Sequence, residues 1–141
     1  MSIKSLLFSF QGRIGRKHFW IWNAIYYGSV MGASIGVGVL FPAYASIILV
    51  VLLSGLLIPD LAITAKRWHD RNKSNWYLLL NIPLILGRVF VPASVAGTQT
   101  SSTTMQALVS IVALVCGAWI FIECGLLKGD DEANRYGKPS K

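Results

Sequence analysis

Charge is scarce in this chain. Of its 141 residues, 13% are Asp, Glu, Lys or Arg, against about 25% in an ordinary soluble domain. With 54% hydrophobic residues and a mean hydropathy of +0.56, that deficit excludes an ordinary soluble domain and puts the chain in the membrane class. Acid is scarcer still: six Asp and Glu stand against thirteen Lys and Arg, for a formal net charge of +7. There are two cysteines, Cys116 and Cys124, in one apolar stretch. They lie about 12 Å apart along a helix, too far for a disulfide between them. The two histidines, His18 and His69, stand in different segments, with no Cys-x-x-Cys or His-x-x-x-His spacing. No metal, no cofactor and no catalytic residue is therefore assigned. The first long apolar run starts at Phe19 and is too long for the h-region of a cleavable signal peptide, so it is expected to stay as an anchor.

What is present is pattern. Twelve of the thirteen basic residues form three clusters: Lys4, Arg13, Arg16, Lys17; then Lys66, Arg67, Arg71, Lys73; then Lys128, Arg135, Lys138, Lys141. About 48 residues without Lys or Arg separate the first two clusters, room for two crossings of about 20 residues each. Only Arg88 interrupts the second interval. Basic residues flanking spans are retained on the cytoplasmic side. Two hairpins would put all three clusters, and both termini, on that side. The expected partner of this charge is the lipid bilayer with its anionic headgroups. Nucleic acid is not expected, because the basic residues flank apolar spans.

The resulting expectation is an all-α, polytopic integral membrane protein forming a single membrane domain over residues 1–141. It has four transmembrane helices at about 19–41, 43–65, 76–92 and 105–127, and a cytoplasmic tail at 128–141. Ile3, Leu6, Leu7 and Phe10 share one helical face, so residues 2–10 are expected as a short amphipathic helix on the cytoplasmic leaflet. Phe19, Trp20 and Trp22 open the first span and Trp76 and Tyr77 the third, as interfacial aromatics do. Gly28, Gly32 and Gly36 make a doubled Gly-x-x-x-Gly in the first span, which lets a second helix approach closely. That helix is one from this chain or from another. Pro59 falls inside the second span. The third span is short and holds Pro83 and Arg88. Residues 66–75 are expected as a polar cytoplasmic loop, with Trp68 anchored at the headgroups.

Few polar residues are placed to do chemistry. Asp60 and Glu123 are expected at one depth, about 7–9 Å inside the cytoplasmic boundary. Two carboxylates there must be paired, hydrated or protonated; sharing a proton would make a cation or proton site, while pairing with a cytoplasmic Arg, such as Arg67 for Asp60, would not. His69 and Asp70 could form a base with its orienting carboxylate, but adjacent residues on a helix point about 100° apart. A charged network is the better expectation. It joins Arg13, Arg16, Arg67, His69, Asp70, Asn134, Arg135 and Tyr136, with Asp70 taking a guanidinium from Arg13, Arg16 or Arg135.

Four stretches carry a family resemblance: Gly12 through Trp20; Pro59 through Asp70; Ser74-Asn75-Trp76 with Ile82-Pro83; and Gly129 with Asn134-Arg135-Tyr136-Gly137. Together they resemble the bacterial inner-membrane family known as domain of unknown function 805, which includes YhaH-like proteins. The resemblance covers about Phe8 to Pro139. Gly15, Lys66, Trp68 and Asn75 depart mildly from the family pattern, and Asp60 stands where a small residue is usual. The resemblance implies a multi-pass protein of the bacterial inner (plasma) membrane with its motifs facing the cytoplasm, and no established activity. The function expected is a non-enzymatic packing or assembly protein that contacts lipid and associates as a homo-oligomer or with a membrane-protein partner. Two alternatives are a small transporter or channel subunit using Asp60 and Glu123, and a lipid-modifying enzyme using His69 and Asp70.

Overall fold

The computed structural model describes residues 2–87 and 104–139, and among them every named element is helical. Helix α1, Ile3–Phe8, is capped by the Ser2 hydroxyl, which accepts from the Ser5 amide at 3.2 Å; such a cap satisfies one of the amides left open at a helix start. Helix α2 is Arg16–Leu40. Its 25 residues reach about 38 Å at 1.5 Å each, beyond the roughly 30 Å hydrocarbon core. The proline of the 3-10 turn Pro42–Tyr44 ends it, because the residue before a proline is pushed out of the α region.

Helix α3, Ala45–Asp70, runs through Pro59, which leaves the Gly55 carbonyl without its helical amide. Helix α4, Asn75–Gly87, begins as a 3-10 helix over Asn75–Leu80. Pro83 sits in the first turn of its α-helical part, where a missing N–H breaks no helical bond. Helix α5 is Thr104–Ile120 and continues as a π-helix over Phe121–Leu126. Among the described residues, three helices are thus long and apolar enough to cross a membrane, and α4 is a shorter apolar helix.

The architecture departs from expectation in several places. The expected loop 66–75 is helical as far as Asp70: Lys66, Arg67, Trp68, His69 and Asp70 are the buried last turns of α3. Trp68 is 0% exposed and packs on Tyr77, so it is a core residue and not a headgroup anchor. Trp76, at 77% exposure, faces outward instead. Residues 88–92 of the expected third span, including Arg88, lie outside the described residues. Segment 2–10 shortens to α1, whose Leu6 and Leu7 pack on the core while Ile3 and Phe8 stay exposed.

The core sits at one end of the bundle. Its buried apolar members, Ile14, Phe19, Ile63, Trp68, Ile120 and Cys124, surround the last half of α3. Elsewhere the helices turn large apolar side chains outward: Met31, Ile35, Val39, Ile47, Val51 and Leu114 are all at least 63% exposed. In water this would be untenable; in hydrocarbon it costs nothing, since lipid tails are as apolar as leucine.

Candidate functional site

The charged residues of the motifs gather at that same end, around Asp70. One Asp70 oxygen takes Arg13 Nε at 3.0 Å, and the other takes the Arg67 guanidinium. Of the three cross-segment candidates, Arg13 is thus the one that reaches it. Arg13 uses its whole fork. Beyond the carboxylate it donates to the carbonyls of Glu132 (2.8 Å), Gly137 (3.1 Å), Asp130 (2.6 Å) and Asp70 itself (3.3 Å). A guanidinium has five N–H donors in fixed directions, and here each has an oxygen. Gly129 permits this closeness, because a Cβ there would overlap the Asp70 carboxylate and come within 2.9 Å of its carbonyl oxygen.

Buried cations need more oxygen than one carboxylate provides, and helix ends supply it, since the last carbonyls of a helix have no amide partner. Five successive carbonyls at the end of α5 accept from side chains. Cys124 and Leu127 take Arg67, Gly125 takes Trp20, Leu126 takes Arg16, and Lys128 takes Arg71. Gly125 lets the Trp20 ring close in; an added Cβ would stand 3.0 Å from it. Lys66 closes α1 in the same way, donating to the carbonyls of Ser5 and Leu6 at 2.6 Å each.

His69 is held on every side. Nδ1 lies 3.2 Å from the Gly12 carbonyl and Nε2 lies 2.7 Å from the Asn75 amide. A carbonyl only accepts, so Nδ1 carries a proton. The ring stacks on Tyr136 at 3.8 Å between centroids. The tail folds over it: Asn134 donates to the His69 carbonyl at 2.9 Å and pairs with Gly137 in an isolated bridge. Gly137 has φ +124°, a backbone state that favours glycine. Arg135 reaches the Asn72 carbonyl at 3.1 Å. All eight residues of the expected network therefore make contacts between chain segments.

The two acids expected inside the membrane have different surroundings. Glu123 pairs with Arg71 Nε at 2.8 Å and Lys73 Nζ at 3.0 Å. Asp60 accepts from Trp22 Nε1 at 3.2 Å and lines a cavity of about 690 Å³ between α2, α3, α4 and α5. Of the two alternatives, a shared proton and pairing with cytoplasmic cations, Glu123 takes the second, with two cations from the connection after α3. The other expected pairing, Arg67 with Asp60, gives way to Arg67 with Asp70. The glycine stripe also departs from internal packing: among the described residues, Cβ atoms at Gly28, Gly32 and Gly36 would each meet nothing within 4 Å. Arg71 was expected in the charged network with Arg67, His69 and Asp70; Lys66, Gly12, Asn75 and Lys73 were not foreseen as members of the site. Lys66 and Gly12 act through backbone carbonyls, which residue identity does not encode.

Long apolar helices, bare along their length and sealed by buried charge at one end, define a helical membrane protein. A profile of the family described as "Protein of unknown function (DUF805)" matches residues 7–138, and the chain belongs to that family. It is similar to the protein named "Uncharacterized protein YiiR" of Escherichia coli strain K12, with 32% identity over 146 residues, covering 100% of this chain and 92% of the relative. The YiiR of Escherichia coli O157:H7 matches with the same identity and coverage. No solved structure matches the chain.

Proposed function

We propose that this chain is a four-crossing protein of a bacterial inner membrane with both termini in the cytoplasm. It works as a packing and lipid-contacting protein rather than as a catalyst. Parity supports the crossing number. Arg13 before α2 is bonded to Glu132 after α5, so the two ends share a side and the crossings must be even. The three long helices leave one crossing, assigned to the stretch that begins with α4. The basic clusters gather at this end, which makes it the cytoplasmic one. Lys4, Arg16, Lys17, Lys128, Arg135 and Lys138 are exposed there, and each basic residue near an anionic surface contributes about 1 kcal/mol of attraction. Ile3 and Phe8 of α1, exposed beside them, would dip into the same leaflet.

The observation that carries the non-enzymatic reading is the occupancy of His69 and Asp70. A general base must reach its substrate's proton, yet both His69 nitrogens have protein partners and Asp70 lies between two guanidiniums. A channel built on Asp60 and Glu123 loses support in the same way, since Glu123 is held by Arg71 and Lys73. Reporter fusions at Thr100 and Lys141 test the topology and are expected to give opposite sidedness. Crosslinking in intact membranes followed by mass spectrometry is expected to recover a second copy or a membrane partner. Lipid turnover by the purified protein, lost in His69→Ala, would overturn the non-enzymatic reading.

A further inference from the structure

The outer face between α4 and α5 carries two shallow grooves that share a wall. One, of about 280 Å³, runs between Trp76, Leu79 and Trp119; the other, of about 260 Å³, runs between Trp119, Ile122 and Glu123. The Trp119 side chain stands between them. Leu79, Trp119 and Ile122 are all exposed, so both grooves open to the surroundings of the bundle. Each is smaller than the roughly 300–1,000 Å³ of small-molecule sites. Neither encloses a compact ligand, and each suits a length of one apolar chain.

Both grooves reach the same group of charges. Glu123 lines the second, and Lys73 Nζ lies 4.9 Å from the ring centroid of Tyr77, which lines the first. Glu123 takes Arg71 at 2.8 Å and Lys73 at 3.0 Å. One carboxylate thus faces two cations, and the group keeps one positive charge in excess. That excess can be reached, since the Arg71 and Lys73 side chains are 20% and 23% exposed. It also has donors to give. Arg71 spends Nη1 on the Lys128 carbonyl, and its Nη2 has no partner among the described residues. Lys73 brings three N–H donors and gives one carboxylate oxygen a salt bridge. A single surplus cation calls for a single anion, and two grooves on either side of one ring call for two chains.

We infer that this face seats one diacyl phospholipid of net negative charge, of the phosphatidylglycerol class. Its phosphodiester meets Arg71 and Lys73, and its chains lie on either side of Trp119. A glycerol headgroup leaves the charge balanced, whereas choline would return a cation beside Arg71 and Lys73. The seat rests on the lipid-contacting reading above and narrows it from a diffuse attraction over exposed basic residues to one bound molecule.

The probe is phosphatidylglycerol brominated on both chains near the glycerol, at increasing mole fraction in phosphatidylcholine nanodiscs holding the full-length protein. Bromine quenches tryptophan at contact distance, and Trp76 and Trp119 line the grooves. Saturable quenching is expected at a mole fraction about fivefold lower than for brominated phosphatidylcholine, the factor that one basic residue near anionic lipid contributes. Brominated lysophosphatidylglycerol, with the same charge and one chain, is expected to need a higher mole fraction than the diacyl lipid. Lys73→Gln is expected to remove the preference for phosphatidylglycerol. Lys17→Gln with Lys138→Gln, which removes two exposed charges elsewhere on this end, is expected to leave it. Replacing Trp76 and Trp119 together by Phe is expected to remove the saturable component. Equal mole fractions for the two brominated diacyl lipids, or for the one-chain and two-chain lipids, would overturn the seat, and neither comparison needs a variant to fold. Saturable quenching that survives loss of Trp76 and Trp119 would place the lipid elsewhere and overturn it too. An equal loss of preference in Lys73→Gln and in the Lys17/Lys138 variant would overturn the seat while leaving the diffuse lipid contact standing.

Discussion

The half of α3 before Pro59 is almost wholly apolar, yet it buries only Leu49. The half from Pro59 onward carries Asp60, Lys66, Arg67, His69 and Asp70, and it buries every residue but Leu61. A soluble protein would reverse this. The contrast follows from the solvent each half meets. Lipid tails solvate valine and isoleucine as well as a protein core does, so the first half gains little from being covered. Charged groups near the boundary have no such indifference. Each must find an oxygen, a cation or water, and here α1, the Gly12–Gly15 turn, the end of α5 and the tail close around the second half to provide the first two.

The largest effect expected from breaking this contrast is at Asp70. Asp70→Ala leaves Arg13 and Arg67 buried without their shared carboxylate, and removing one partner of a buried pair costs about 3–5 kcal/mol. Unfolding in mixed detergent micelles measures it, and a loss below about 1 kcal/mol, the worth of an exposed pair, would show that the clamp does not hold the end together.

A matched pair of truncations compares the two halves directly. Ile63 is 0% exposed and Ile47 is 63% exposed. Ile63→Ala is expected to cost about 2–5 kcal/mol, as large-to-small changes in packed cores do. Ile47→Ala is expected to stay within about 0.5 kcal/mol, as at an uncovered surface. Equal losses by the same unfolding assay would erase the contrast.

Gly129→Ala sharpens the clamp without removing charge. The new methyl must displace the Asp70 carboxylate, and overpacking of this kind costs about 1–3 kcal/mol. A melting temperature equal to the wild type's would mean the tail yields freely.

The smallest effect is expected at Gly32→Ile. No described residue comes within 4 Å of a Cβ at the position, so unfolding of the single chain should change by no more than about 0.5 kcal/mol. Any effect then falls on association between chains, read as a shift in crosslinked dimer yield. Large destabilisation of the isolated chain would mean that the stripe packs internally after all.

The sequence already carried much of this. Clustered basic residues between long apolar runs were enough for a helical membrane protein, because bilayer thickness and the cost of crossing it with charge leave few alternatives. The convergence of the three motifs was legible too, because helix ends on one side of a small bundle have nowhere else to go. The helical state of Lys66 to Asp70 was not. Four polar residues around one tryptophan after an apolar run look like a loop, and only the carbonyls of α1, the Gly12 turn and the end of α5, together with Arg13, make their burial tolerable. Trp68 was misjudged for the same reason: a tryptophan at a span end is an interface marker unless other segments cover it, and here α4 does. The fate of Glu123 depended on where Arg71 and Lys73 fold back after α3, a path that spacing along the chain does not specify.

By itself, then, the sequence determined the solvent of each segment, since transfer free energy is a property of side chains and adds along the chain. Which donor met which acceptor was decided by the tertiary structure alone. Most of the acceptors are backbone carbonyls, identical at every residue, and only the packing of α5 and the tail after it against α2 and α3 brings those particular carbonyls within reach of Arg13, Arg16, Arg67 and Arg71.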